Sequence, residues 1–123
     1  MKNIFRFSLL FLVIFIGGCS SDTYEEISVS DAYSKMVTED VIVLDVRSLE
    51  EFETGHLVDA INVPVDMVKS DFSKKVTDDK NSTIIVYCQS GKRAIEASKI
   101  LTNMGYINVY TFGGINDWTY ELE

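Results

Sequence analysis

In "TIIVYCQSGKRAIEASKIL", Thr83 to Leu101, one thiol stands between a run of β-branched residues and an amphipathic pattern of helical period. A thiolate is a nucleophile and a sulfur carrier, but it needs a site that favours its negative charge. The residues after Cys88 can build such a site. A tight turn through Gln89, Ser90, Gly91 and Lys92 would point successive backbone N–H groups inward, making an anion-binding nest at a helix N-terminus. Gly91 allows a backbone conformation closed to most residues and keeps a side chain out of the nest. Arg93 would add a fixed positive charge, and Lys92 a positive potential at the mouth. Together they are expected to favour thiolate over thiol at Cys88. A buried structural cysteine ahead of an ordinary helix explains the sulfur equally well, but packing alone asks for nothing basic beside it.

The elements that must position this loop lie in a chain of 123 residues, enough for one domain with its own core and no need of disulfide or metal. The first residues stand apart. "MKNIFRFSLLFLVIFIGGCSS" has Lys2 and Arg6, an apolar run from Leu9 to Ile16, and small residues ending at Cys19, the order of a signal peptide. A spanning helix needs about 20 apolar residues, so this run predicts export rather than permanent insertion. "IGGC", Ile16 to Cys19, is similar to a bacterial lipobox, in which the cysteine is lipidated and becomes the first mature residue. The chain therefore divides into a leader over residues 1–18, a lipidated Cys19 with a short polar tether over 19–23, and a domain over 24–123. The domain is expected in the cell envelope, lipid-anchored and facing the periplasm or extracytoplasmic space.

Cleavage before Cys19 removes Lys2 and Arg6 and leaves nine basic against nineteen acidic residues. That balance disfavours nucleic acid and anionic headgroups as partners; a monomer is expected. Cys88 is then the one free thiol of the mature chain, so no intramolecular disulfide can form. One histidine and one free cysteine make a poor ligand set for a structural metal, and no organic cofactor signature is present.

The domain reads as strands alternating with helices. Ser28 or Ser30 can cap a helix burying Ala32 and Met36. "VIVLDV", Val41 to Val46, and "TIIVYC", Thr83 to Cys88, are continuous apolar runs, the pattern of strands covered on both faces. Ser48 and Glu51 stand at capping-box spacing, which predicts a short helix ending by Gly55. "AINVP" predicts a short strand, "VDMVKSDF" a short helix and "NVYTF" a third main strand; "GGINDWTYELE" predicts a turn and a final helix. The helix after Cys88 places Ala94, Ala97, Ile100, Leu101 and Met104 on one face and stops at Gly105. This alternation predicts an α/β fold, a central and mostly parallel sheet with helices on both faces, and such sheets bind ligands at the carboxyl ends of their strands. Cys88 is at one of those ends. Asp45 and Arg47, following another strand, lie near the same edge and are expected to brace the loop as an ion pair or hydrogen-bond network. Gly113 and Gly114 predict a tight turn, and Trp118 a cover over the sheet.

"VIVLDVRSLEEFETGHLVDAINVP" and "IIVYCQSGKRAIEASKILTNMGYINVYTFGGINDW" together resemble the two signature regions of the rhodanese-like sulfurtransferase family, over nearly the whole mature chain. The resemblance implies a rhodanese fold and an active-site loop beginning at Cys88. It also implies a Cys88 persulfide that takes sulfane sulfur from a donor such as thiosulfate or a persulfide and passes it to a thiol or cyanide-like acceptor. Gln89, Ser90, Gly91, Lys92 and Arg93 would hold the substrate, with Arg93 orienting it. Two departures stand out: Ala94 where the family often has Ser, and Val58-Asp59 where it often has Pro-Gly. The second changes a turn, and Asp tolerates left-handed backbone better than most residues. A Cys88/His56 dyad of the cysteine-hydrolase kind is conceivable, but the family's matching histidine sits in the "GHL" turn and acts structurally.

Two rivals remain open. A cysteine-based phosphatase or arsenate reductase also places Cys and Arg around an anion nest, though generally with about five intervening residues, as judged by resemblance; this chain has four. A non-catalytic module would use the same fold to bind a partner.

Overall fold

The computed structural model describes residues 23–123. The leader, the lipobox and Cys19 lie outside the described residues. Five strands form one sheet in the order β1-β5-β4-β2-β3, with β1 Glu25–Glu26, β2 Ile42–Asp45, β3 Ile61–Asn62, β4 Thr83–Cys88 and β5 Asn108–Gly114. All neighbouring strands run parallel. The one antiparallel element among the described residues is an isolated bridge between Leu57 and Leu122. Helices α1 Val29–Thr38, α2 Leu49–Glu53, α3 Val68–Lys75 and α4 Lys92–Asn103 connect the strands.

The period-two alternation of β4 explains how both faces are filled. Ile84, Val86 and Cys88 point into a core with Val68 and Phe72 of α3 and with Ala94, Ala97 and Leu101 of α4. Ile85 and Tyr87 point the other way, to Ala32 of α1, Leu57 and Phe112. Covering both faces accounts for the run of apolar residues Ile84, Ile85 and Val86 in the middle of β4. Complete burial of Phe72 alone removes enough apolar surface to favour folding by roughly 2–3 kcal/mol.

Local signals place most boundaries. Ser28 caps α1 by accepting the Asp31 N–H, and both halves of the Ser48/Glu51 capping box form. One expectation is corrected and one element is new. No final helix forms: Ile115–Asp117 is a single 3₁₀ turn, after which the chain runs out to exchange backbone hydrogen bonds between His56 and Glu123 at 2.8 and 3.0 Å. Glu25–Glu26, which has no strand pattern, becomes an edge strand because β5 offers an unpaired parallel partner.

Candidate active site

The Cys88 sulfur sits at the carboxyl end of β4, a central strand, and is 1% exposed. Gly91 donates its backbone N–H to this sulfur at 3.0 Å, and Gly113 O lies 3.9 Å away. Gly91 adopts φ 119°, a conformation that strains any residue with a Cβ. Helix α4 begins one residue later at Lys92, so its first amides open toward the turn. The N–H groups of Ser90, Lys92 and Arg93 take no protein acceptor among the described residues. For Lys92 and Arg93 this follows from helix geometry, since first-turn donors have no intrahelical partner. The arrangement is a short ring of amides beside one sulfur.

Arg93, expected to orient the anion, has a partner that the sequence does not point to. Its guanidinium makes a bidentate pair with Glu51, Nη1 to Oε1 at 2.7 Å and Nη2 to Oε2 at 3.0 Å. Two parallel N–H···O bonds set the orientation of both groups. Hydrogen bonding from Arg93, helped by Ser48 and opposed by desolvation, holds the Glu51 carboxyl down at about 2. The pairing correspondingly strengthens the proton affinity of Arg93. Arg93 thus braces the loop against α2. Lys92 is exposed at the mouth with no such partner among the described residues.

Asp45 and Arg47 are brought together as expected, and both are buried, at 0% and 2% exposure. Arg47 reaches Asp45 Oδ2 through Nη2 at 2.8 Å and Asp45 Oδ1 through Nε at 3.1 Å. Burial works against the Arg47 charge, and its bonds to Asp45 outweigh it, so its proton affinity rises. Tyr87 donates its hydroxyl to Asp45 at 2.7 Å and accepts the Leu57 N–H; burial first, then Asp45, pushes its phenol up from the ordinary range. Arg47 also donates to Gly55 O at 2.7 Å and to Gln89 Oε1 at 3.4 Å, while Asn62 donates to Arg47 O at 2.9 Å. One guanidinium therefore ties together β2, the turn at Gly55 and the first residue of the Cys88 loop. Every buried side-chain polar atom among the described residues has a partner, as a buried ion pair requires.

Gly113 and Gly114 do not form the expected tight turn but end strand β5. Val86 pairs with Thr111 but Cys88 pairs with Gly114, so β5 carries an extra residue and bulges beside the sulfur, with Gly113 at φ 101°. His56 faces elsewhere: Nδ1 lies 3.0 Å from Phe52 O, Nε2 lies 3.4 Å from Glu123, and the ring stacks on Phe52. Trp118 covers the sheet against Phe112. Asp59 takes φ 62°, the left-handed turn in place of the family's glycine.

Sequence reasoning reads Glu51 as a helix cap alone and does not single out Tyr87, Asn62 or Asn116. Glu51 carries a usable hint, an acid opposite a basic loop, but its partner is 42 positions away. Asn116 carries no sequence signal.

The sequence matches the profile of the Rhodanese-like domain over residues 28–121. It is 40% identical over 74 residues to the thiosulfate sulfurtransferase PspE of Escherichia coli, covering 60% of this chain and 70% of that protein. It is also 30% identical over 102 residues to the tRNA uridine(34) hydroxylase of Photorhabdus laumondii, covering 80% of this chain and 29% of that much longer protein. Among solved structures it is similar to an E. coli rhodanese with anions, at 36% identity and a TM-score of 0.63, covering 68% of this chain and 98% of that one. Sequence and sheet agree across both signature regions, and the chain belongs to the rhodanese-like domain family.

Proposed function

We propose that the protein is a sulfurtransferase that carries sulfane sulfur on Cys88. The observation that supports this most is the sulfur at the carboxyl end of β4, holding one amide N–H at 3.0 Å beside further amides free to receive an anion. In the donor step the Cys88 thiolate attacks the sulfane sulfur of thiosulfate or of a persulfide. A bond forms between Sγ and that sulfur as the donor's S–S bond breaks, and the leaving sulfite or thiolate departs with the electron pair. In the acceptor step a thiolate or cyanide attacks the outer sulfur, and Cys88 Sγ leaves with the bonding pair. The amides from Ser90 to Arg93 stabilise the negative charge present in both steps, and Lys92 draws anionic donors to the mouth. Arg93, paired through Nη1 and Nη2 with Glu51, holds its positive charge close enough to favour the Cys88 thiolate. The similarity to PspE favours thiosulfate as a donor; the hydrolytic rival is disfavoured by the narrow turn. We also propose that the domain is exported and lipid-anchored through Cys19, a reading that rests on the leader pattern alone.

Incubation with thiosulfate is expected to add one sulfur, about 32 mass units, to Cys88, and cyanide or a small thiol to remove it. Cys88→Ser keeps the shape and removes the nucleophile, so it should abolish adduct and turnover while the domain stays folded. Failure to form an adduct with thiosulfate, polysulfide or a small persulfide, with hydrolysis of an aryl phosphate, would establish the phosphatase; failure of both would establish the binding module.

A further inference from the structure

The peptide between Gln89 and Ser90 is gripped from outside the loop. Gln89 O accepts the backbone N–H of Asn116 at 3.2 Å, and the Gln89 side-chain amide donates to Asn116 Oδ1. Gly114 closes on the same peptide: a Cβ placed there would stand 2.1 Å from Gln89 O, 2.3 Å from Gln89 C and 2.6 Å from Ser90 N. No side chain of any kind fits in that space. The described residues contain no cis peptide, and a trans peptide carries its N–H on the side opposite its C=O. With the carbonyl directed at the turn Gly114–Asp117, the Ser90 N–H is directed away from it. That N–H takes no protein acceptor among the described residues.

We propose that Gly114 and Asn116 are positioning residues that lock the Gln89–Ser90 peptide with its carbonyl outside the cradle, leaving the Ser90 N–H for the bound anion. Rotating this peptide by half a turn would replace an inward donor with an inward carbonyl oxygen, which repels an anionic donor or a persulfide. Local sequence does little to prevent that rotation, because Gln89 and Ser90 belong to no helix or strand. The contact with Gly114 and the hydrogen bonds to Asn116 oppose it. The inference rests on the reading of the Cys88 loop as an anion cradle.

The test compares alkylation of Cys88 in the full chain by anionic iodoacetate and neutral iodoacetamide, read by mass spectrometry on the Cys88 peptide. The ratio of the two rates isolates the cradle from general reactivity or loosening. Wild type should show a higher ratio than N-acetylcysteine measured in parallel. Gly114→Ala should lower that ratio by about tenfold, the loss of one hydrogen bond to a charged group. Asn116→Leu, which leaves its backbone N–H, should lower it by about twofold to threefold, and it decides the matter if Gly114→Ala does not fold. A wild-type ratio above the free thiol with both folded variants unchanged would overturn this inference alone. A wild-type ratio equal to the free thiol would overturn the cradle itself.

Discussion

At the scale of single residues, the site depends on a few groups whose neighbours leave them no freedom. Asp45 is wholly buried, and its carboxylate receives Arg47 and the Tyr87 hydroxyl at once. Removing it strands a buried guanidinium that also holds Gly55 and Gln89. Asp45→Ala should therefore cost about 3–5 kcal/mol of stability, the usual penalty for an uncompensated buried charge. Urea unfolding at neutral pH measures it; a loss below about 1 kcal/mol would mean that water or a repacked partner satisfies Arg47. Asp59 shows the same economy of alternatives, since a left-handed φ of 62° admits Gly, Asn or Asp far more readily than a β-branched residue.

Between elements, the bond of Glu51 to Arg93 joins the start of α2 to the first turn of α4. Glu51 is ionised far below its ordinary range, at about 2 in place of 4.5, chiefly because Arg93 donates to it. A lowered carboxylate contributes stability above its unfolded value and loses it as pH falls through the folded value. Wild type should thus be more stable than Glu51→Gln from neutral pH down to about 4.5, the advantage shrinking between 4.5 and about 2 and vanishing below. Both side chains are 35% exposed, so the difference will be small and weakened by salt. Paired denaturation midpoints across this window provide the measurement; a difference that does not change with pH would exclude the ion pair as its source. The bulge at Gly113 acts at the same scale, turning the end of β5 so that Gly114 faces the Gln89 peptide.

For the whole molecule, the parallel sheet sets the carboxyl ends of β2, β4 and β5 side by side, so that Arg47, Cys88 and Gly114 lie along one end of it. The chain end is held by the backbone exchange between His56 and Glu123, next to the Gly55 carbonyl that receives Arg47. The proposed anchor belongs here too. No helix among the described residues is long and apolar enough to cross a membrane; the proposed attachment through Cys19 rests on the leader pattern. Cys19→Ala should shift the protein from the membrane fraction to the soluble fraction, or leave it as uncleaved precursor. Membrane association that survives the substitution together with normal cleavage at another residue would refute the lipobox.

The amino-acid sequence by itself determined what depends on neighbours a few positions apart. Apolar runs made β2 and β4, Ser28 and Ser48 capped helices, and the order of Cys88, Gly91 and Lys92 placed a sulfur before a helix N-terminus. The family resemblance could be read at the same level because both signature regions are continuous. Only the tertiary structure decided which groups meet across the fold. Arg93 finds Glu51, and Tyr87 finds Asp45, each 42 positions away, while Gln89 meets Asn116 across 27. Chain periodicity carries no record of such pairs, because their distances are set by strand order and by one bulge in β5. The last residues illustrate the same limit: instead of a helix, Asn116 donates to Gln89 and Glu123 exchanges backbone bonds with His56, partners that no local pattern points to.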